Sequence, residues 1–348
     1  MAYDIYTRHD SRIGMLEQAA WGTAKVAADA FHELPNDPGA VFDQGVNLRR
    51  PNRSYASTLG GQRMQDIRDV QNDTKGSMPT ITTSGDVRKD EFADLLYLVM
   101  QGVTEGAATP YLKQFQFPTT QPDFTASEGM FCSVCGRHPL ASSSVLMPDS
   151  IIRTLTLSGS PDANEGRMHF NAEYIGRPLS HQFNPSGTWT RVPEEFFYFH
   201  DIGGVLLDVS SIDIFSYELV ISNNAVPTGV EVGAATGKFK SYALPKYTVT
   251  GKISVLWDAD KTYTWMRAIY PVGTVTIFRL YWGNSVPSAD GDLRFDMSAV
   301  ITSAPRILGD IHQIELGFEM VSNVVTSAED CDDHGLVVQL GDASDRAW

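Results

Sequence analysis

The sequence has few cysteines, a deficit of cations and no long apolar run, and each shortage excludes a class of protein. Three cysteines in 348 residues are too few for a disulfide framework. No apolar stretch approaches the roughly 18 residues of a membrane helix, so no span of a bilayer is expected. Lys and Arg total 27 against 42 Asp and Glu, which gives a net charge of −15. Tight binding to nucleic-acid phosphate calls for clustered cations, so it is not expected either.

The apolar residues that are present, 42% of the chain, are arranged mainly for β-strands. Apolar and polar residues alternate over Met168–Tyr174, Tyr247–Trp257 and Ile314–Met320, which is the period of a strand with one buried face. Val, Ile, Thr and aromatic content favours strands elsewhere too. These further predicted strands are Ser77–Ser84, Met130–Cys135, Ile151–Ser158, Ile214–Ile221, Thr274–Trp282 and Leu293–Ile301.

Two segments have helical spacing instead. In Lys89–Gln101, apolar residues recur at i, i+3, i+4 and i+7, and Asp260–Tyr270 shows the same spacing. Each predicts a short amphipathic helix lying on a sheet. Because each helix follows a Thr-rich strand and precedes several more strands, we predict a mainly β protein built from duplicated β-sandwich or barrel units. Each unit carries one short α-helix, and extended arms are added.

Composition divides the chain into three parts. The first β unit is predicted at residues 1–189 and the second at 190–325, since Pro and Gly cluster in Asn184–Asp208. Within the first unit, residues 43–76 carry six cations against four carboxylates, which predicts a basic arm formed by a long loop or extended hairpin. Residues 326–348 hold six carboxylates against one arginine and are predicted to be an acidic C-terminal tail outside the core.

Two motifs suggest chemistry, and neither is well supported. Cys132 and Cys135, with His138, Cys331 and His334, are the candidate ligands of a zinc site. Residues three apart on a strand point to opposite faces, which favours two buried thiols instead.

Gly233–Phe239 resembles a phosphate loop, but its glycine spacing is wrong and Phe239 replaces the hydroxyl residue that holds magnesium. A flexible hairpin turn is the better interpretation. No catalytic residue, metal or cofactor is predicted, and the chain is not expected to be an enzyme.

A family resemblance accompanies this pattern. Glu17–Thr23 (EQAAWGT) resembles the "E-x-T-x-G-T" start of tail tube proteins of long-tailed, non-contractile bacteriophages. The Thr-rich strand, the helix and the Cys-containing strand then follow in that family's order, and residues 212–323 resemble a repeat of the same plan. The chain is longer than one tube unit, so the resemblance implies duplication or added arms.

The resemblance implies a structural virion protein of the phage tail, assembled in the host cytoplasm. Copies of the chain would pair sheet edges into rings, either six copies or three duplicated ones forming a pseudo-hexamer. The rings would stack into a tail tube joined to other tail proteins. DNA would pass through the channel non-specifically during genome ejection, and no membrane partner is implied.

Two sets of residues are candidates for these roles. An acidic wall would repel DNA and keep it sliding, and the candidates to face the lumen are Glu173, Glu315 and Glu319. The basic arm would meet the acidic surface of a neighbouring ring, and its candidate contacts are Arg49, Arg50, Arg53, Arg63 and Arg68. The alternatives are another ring-forming virion component, such as a tail terminator or decoration protein, and a soluble β-sandwich binding or hydrolytic protein.

Overall fold

The structure is a computed structural model, and its described residues are mainly β. It describes residues 12–34, 41–43, 47–49, 71–73, 79–106, 111–137, 144–177, 180–191, 195–207, 210–230, 239–256, 273–307, 312–321 and 334–342. Within these ranges one α-helix accompanies a large antiparallel sheet. The mainly β class is therefore confirmed, whereas duplication of a β unit stays a prediction.

The strands and the helix are numbered in chain order. They are β1 (Arg12–Glu17), β2 (His32–Leu34), β3 (Val41–Asp43), β4 (Asn47–Arg49), β5 (Gln71–Asp73), β6 (Thr80–Asp86), α1 (Lys89–Met100), β7 (Gly102–Glu105), β8 (Tyr111–Gln116), β9 (Cys132–Arg137), β10 (Ser144–Gly159), β11 (His169–Ile175), β12 (Ser180–Phe183), β13 (Thr190–Arg191), β14 (Ile202–Leu207), β15 (Ser210–Ser211), β16 (Ile214–Ser222), β17 (Val226–Val230), β18 (Phe239–Ala243), β19 (Thr248–Leu256), β20 (Val275–Trp282), β21 (Leu293–Ser303), β22 (Arg306–Ile307), β23 (Gln313–Met320) and β24 (Leu336–Asp342).

The long strand β10 links two sheets. Its first half pairs with β9 and β12, and its second half pairs with β11 and β16. Between the halves the register shifts, and Asp149 has a φ of 52°, which bends the strand. The smaller sheet has the order β12-β10-β9-β1-β2-β13, in which only the β2–β13 pair is parallel.

The larger sheet runs β3-β6-β11-β10-β16-β19-β23-β21, and every pair is antiparallel. Along one edge of β21 lies β20, followed by β14 and β15. Along its other edge, β24 and β23 pair with successive parts of the strand, and β24 leads on to β8 and β7. The turn between β20 and β21 therefore lies at the end of β21 that pairs with β24.

The predicted strands are confirmed, and their ends shift by at most three residues except in β10, which begins seven residues before the predicted Ile151. Alternation is clearest in β19, where Val249, Ile253 and Val255 are buried while Thr250 and Lys252 are exposed. This period of two places one face of the strand in the core and the other towards water. The nine predicted segments correspond to β6, β9, β10, β11, β16, β19, β20, β21 and β23.

The first predicted helix is confirmed as α1, although it does not simply lie on a sheet with one open face. Nine of its twelve residues are buried, and it packs against β10 and β8. The ring of Phe92 contacts Phe197 and Phe295 at centroid distances of 5.6 and 6.2 Å. Gln101, with a φ of 67°, ends the helix. The second predicted helix, Asp260–Tyr270, lies outside the described residues.

The prediction of an acidic tail outside the core is wrong for Leu336–Asp342. This segment forms the buried strand β24, which pairs with both β21 and β8. Its terminal carboxylate is neutralised internally, because Lys113 Nζ lies 2.8 Å from Asp342 Oδ2 and both side chains are buried. Residues 326–333 and 343–348 lie outside the described part of the chain.

The main apolar core joins both predicted units. It contains Phe92 and Leu155 from the first and Phe295 and Leu316 from the second. Phe197, within the predicted boundary, is only 1% exposed and belongs to the same core. The division between residues 189 and 190 stays a prediction.

Two antiparallel hairpins stand apart from these sheets. Strands β4 and β5 pair over Asn47–Arg49 and Gln71–Asp73, so the basic arm has the hairpin base that was one of its two predicted forms. Strands β17 and β18 pair up to Val230 and Phe239. The second pairing confirms that the glycine-rich segment joins two strands of a hairpin, as predicted. Residues 50–70 and 231–238 lie outside the described residues.

Candidate assembly surfaces

One face of the larger sheet is polar across six adjacent strands: β6, β11, β10, β16, β19 and β23. Directly paired residues on neighbouring strands share a face. One such row runs Thr82, Glu173, Thr154, Ser222 and Thr248. We call this surface the polar face. Its opposite side is apolar and belongs to the main core.

All three predicted lumen-facing glutamates lie on the polar face. Glu173 pairs with Thr154 in the row above, Glu319 pairs with Thr250, and Glu315 pairs with Ser254. Glu319 is exposed, whereas Glu173 and Glu315 are half-buried. The structure therefore brings together on one surface three residues that are up to 146 positions apart in the sequence.

Other charged residues on the polar face were not identified from the sequence. Glu218 pairs with Lys252, and Asp86 pairs with His169. Arg153 Nη1 lies 3.9 Å from Glu173 Oε1 across the bulge of β10. Near Asp86, the guanidinium of Arg167 lies 3.2 Å from the carboxylate and 4.6 Å above the ring of Phe196. Carboxylates outnumber cations on these six strands.

The Glu17–Thr23 motif is held by a buried polar network at the bend of β10. Gln18 Nε2 and the backbone N–H of Gly22 both donate to Asp149 Oδ1, at 2.9 and 2.8 Å. In return, Gln18 Oε1 accepts from the Asp149 N–H at 2.7 Å and from the Ser133 hydroxyl at 2.8 Å. Arg177 Nε lies 3.4 Å from Asp149 Oδ2, and both side chains are buried.

The same network attaches the β17–β18 hairpin to the body of the protein. The Tyr242 hydroxyl donates to the Asp149 carbonyl at 2.7 Å, and Trp21 Nε1 donates to the Lys240 carbonyl at 3.1 Å. The Trp21 ring packs edge-on against Tyr242 and lies 4.8 Å from the guanidinium of Arg177. The motif is therefore structural: it fastens the N-terminal segment, the sheet bend and a hairpin together.

The two cysteines of β9 point in opposite directions, as the strand period predicts. Cys132 lies in the main core, whereas Cys135 packs with Phe31, Leu146 and Trp189. Burial raises the pKa of Cys135 to about 12, and burial, followed by the nearby Asp94, raises the pKa of Cys132 as well. The two thiols lie in separate apolar clusters on opposite faces of β9, so they cannot bind one zinc ion together.

The other candidate zinc ligands add no support. His334 Nδ1 lies 3.1 Å from the Phe117 carbonyl, while His138 and Cys331 lie outside the described residues. Across the described ranges, no group of three or more His, Cys, Asp or Glu side chains is arranged to hold an ion.

Most of the arginines predicted to contact a neighbouring subunit lie outside the described residues. Arg49 ends strand β4, and Arg50, Arg53, Arg63 and Arg68 lie outside the described residues. Their role stays a prediction. Within the described ranges, no helix has the length and apolar character to cross a bilayer.

The comparison with protein families confirms the resemblance. A family model described as phage tail tube protein matches residues 8–299, which include the Glu17–Thr23 motif, α1 and five of the six strands of the polar face. No curated protein matches at a significant level. The match covers most of the chain, and the family consists of structural components of the virion tail. The chain therefore belongs to the phage tail tube protein family.

Proposed function

We propose that copies of this chain form rings, that the rings stack into the tail tube, and that the polar face lines the channel through which DNA passes. The observation that carries the proposal is that Glu173, Glu315 and Glu319 lie on the same face of six adjacent strands of the larger sheet. Family membership supports the tube over the alternatives of a tail terminator, a decoration protein or a soluble β-sandwich binding or hydrolytic protein.

The charge of the polar face suits a conduit for DNA. Duplex DNA carries about one negative charge per 1.7 Å of axis, so a cationic wall would bind it. Carboxylates in excess repel it at close range and leave it free to slide. The one lysine at a paired position of the face, Lys252, lies opposite Glu218, and Arg153 lies beside Glu173. Both cations are thus next to carboxylates.

Ring closure supplies partners for sheet edges. Long strands with open edges invite uncontrolled pairing, and a closed ring of copies removes such edges. Head-to-tail contacts that do not close then build a filament from rings. Three copies would suffice if each chain carries two tube units at 1–189 and 190–325, and six would be needed otherwise.

The basic arm between β4 and β5 is proposed to reach a neighbouring ring. Its support is the hairpin base in the structure and a local charge opposite to that of the whole chain. Exposed ion pairs contribute about 0–1 kcal/mol each, so only a repeated network would hold rings together. Reversing Arg53, Arg63 and Arg68 to Glu should make tubes dissociate at lower salt than an Arg12→Glu control, and unchanged tubes would count against the arm.

Charge reversal of the polar face tests the channel assignment. Tubes of a Glu173→Lys, Glu315→Lys, Glu319→Lys variant should retain duplex DNA at low salt, and virions carrying them should eject DNA more slowly. Wild-type tubes and tubes of the control Glu195→Lys, an exposed residue outside the six strands, should do neither. Tubes of the triple variant that assemble normally and behave like the control would contradict the assignment.

A further inference from the structure

The larger sheet contains two sets of four strands with the same pairing order. The first set is β3-β6-β11-β10 and the second is β16-β19-β23-β21, and every neighbouring pair is antiparallel. The two sets lie side by side, because β10, the last strand of the first set, pairs with β16, the first strand of the second. The sheet therefore already contains one junction between two such sets.

The registers of the two sets agree as well as their order. Each set has a row of four directly paired residues that begins with valine, threonine and glutamate, and we call these the matched rows. They are Val41, Thr82, Glu173 and Thr154 in the first set and Val220, Thr250, Glu319 and Val300 in the second. By this comparison β3 corresponds to β16 and β10 corresponds to β21. The agreement is what the predicted duplication requires, although the duplication itself stays a prediction.

The two outer strands of this array have open edges within the described part of the chain. There, β3 pairs with β6 alone. On the side of β21 opposite β23, the strand β20 reaches only as far as Val300, which pairs with Val275. Strand β20 begins at Val275, just after a turn at Gly273 with a φ of 65°, and no described strand lies beside Ile301–Ser303 on that side. Such edges are templates for pairing with another chain.

We propose that β3 of one copy of this chain pairs antiparallel with the end of β21, Ile301–Ser303, of a neighbouring copy in the same ring. The inference rests on the proposed tube and on the predicted duplication, and it identifies the two strand edges that close the ring. The junction between copies would then repeat the β10–β16 junction that is seen inside the chain.

The junction inside the chain sets the register of the junction between copies. Inside the chain, Ile221 of β16 pairs with Leu155 of β10. Ile221 and Phe42 each lie one residue beyond the valine of a matched row, and Leu155 and Ile301 each lie one residue beyond the last position of a row. The equivalent pairing between copies therefore places Phe42 opposite Ile301.

The same register continues the polar face from one copy to the next. It places Val41 opposite Thr302, which is exposed, whereas the preceding Ile301 is 4% exposed and belongs to the main core. Position 41 in turn pairs with Thr82, and Thr82 pairs with Glu173. Because directly paired residues share a face, the polar face would run without interruption across the junction, as a channel wall requires.

The match inside the chain favours a second copy as the partner of each open edge. Strand β3 corresponds to β16, and the open edge of β21 corresponds to the edge of β10 that β16 occupies. A contact between two different edges of identical chains is heterologous, and it forms a ring when the rotation between copies closes. A contact of β3 with a second β3 would have no counterpart inside the chain.

Cysteine cross-linking tests the pairing directly. In a Cys331→Ser background, tubes of Val41→Cys with Thr302→Cys should oxidise to covalent multimers of more than two chains, because residues directly opposite on antiparallel strands have Cβ atoms about 5 Å apart. Val41→Cys with Val286→Cys is the matched control, since Val286 is 63% exposed but lies in the loop before the other end of β21. This control and Val41→Cys alone should stay monomeric.

The products distinguish the possible contacts. Monomers alone from tubes of the test pair would overturn the inference, because the two edges would then not meet. Dimers from Val41→Cys alone would also overturn it, since β3 would then meet a second β3. The native Cys132 and Cys135 are buried and will not add to the products. Failure of the wild-type chain to form any rings or tubes would instead overturn the proposed function.

A proline substitution provides a second test. Thr302 lies at the register shift of β21 and pairs with no residue of β23, so Thr302→Pro should keep a cooperative urea transition. Because proline removes a backbone donor, the yield of sedimentable rings and tubes should fall at least about tenfold. The matched control Thr302→Val keeps that donor and should assemble like wild type. Folded Thr302→Pro protein that assembles as well as Thr302→Val would overturn the inference, and cross-linking decides the question if Thr302→Pro does not fold.

Discussion

At the residue scale, Asp149 joins the N-terminal motif, the bend of β10 and Arg177. It accepts from Gln18 and Gly22, lies beside Arg177, and sits at the bend where β10 passes between sheets. In the sequence, the Glu17–Thr23 segment was identified only by its resemblance to a family motif. Gln18 of this motif and Asp149 lie 131 positions apart, so no periodicity in the sequence could have identified this contact.

Removal of this carboxylate should be costly. Asp149→Ala leaves the buried guanidinium of Arg177 without that counter-charge, and breaking a buried ion pair costs about 3–5 kcal/mol. Urea unfolding should show that loss for Asp149→Ala. The exposed Asp162→Ala should change the free energy of unfolding by no more than about 0.5 kcal/mol. Similar stabilities of the two variants would mean that the network does not support the fold.

The two thiols of β9 make a prediction about pH. Folding raises their pKa above the ordinary value of about 8.5. Their contribution to stability is therefore complete below pH 8.5 and is lost as pH rises towards 12, because the unfolded chain ionises first. In a Cys331→Ser background, a thiol reagent at pH 8 should modify neither Cys132 nor Cys135 until denaturant is added. Rapid modification of the native protein would contradict their burial.

At the element scale, the alternation of apolar and polar residues identified strands that have one solvent-facing side. It did not identify strands that are buried on both sides. Strands β11, β19 and β23 alternate cleanly and were predicted, whereas β24 is buried along most of its length and shows no alternation. Its acidic end suggested solvent exposure. The cation that neutralises Asp342 is Lys113 of β8, 229 positions earlier. Because this lysine is itself buried, the alternation of apolar and polar residues did not identify β8 either.

Two truncations distinguish the contribution of β24 to folding from that of the residues that follow it. A chain ending at Gly335 lacks the strand between β21 and β8 and should lose its cooperative urea transition. A chain ending at Asp342 keeps this strand and the Lys113 ion pair and should retain the transition. A cooperative transition in the shorter chain would show that β24 is not part of the core. Loss in the longer chain would show that residues 343–348 are required for it.

At the scale of the whole molecule, the larger sheet separates two environments. One side belongs to the apolar core, and the other presents the polar face with its excess of carboxylates. The strand period predicted that Glu173, Glu315 and Glu319 lie on polar faces. That they share one face depends on the pairing order β11-β10-β16-β19-β23, which local sequence does not encode.

The most direct test of this account is a near-atomic electron cryomicroscopy map of tubes assembled from the purified protein. The account predicts that Glu173, Glu315 and Glu319 of every copy face the central channel. The apolar side of the same sheet should face away from it. A map in which the polar face lies on the outer surface of the tube, or is covered by a neighbouring copy while other strands line the channel, would contradict it.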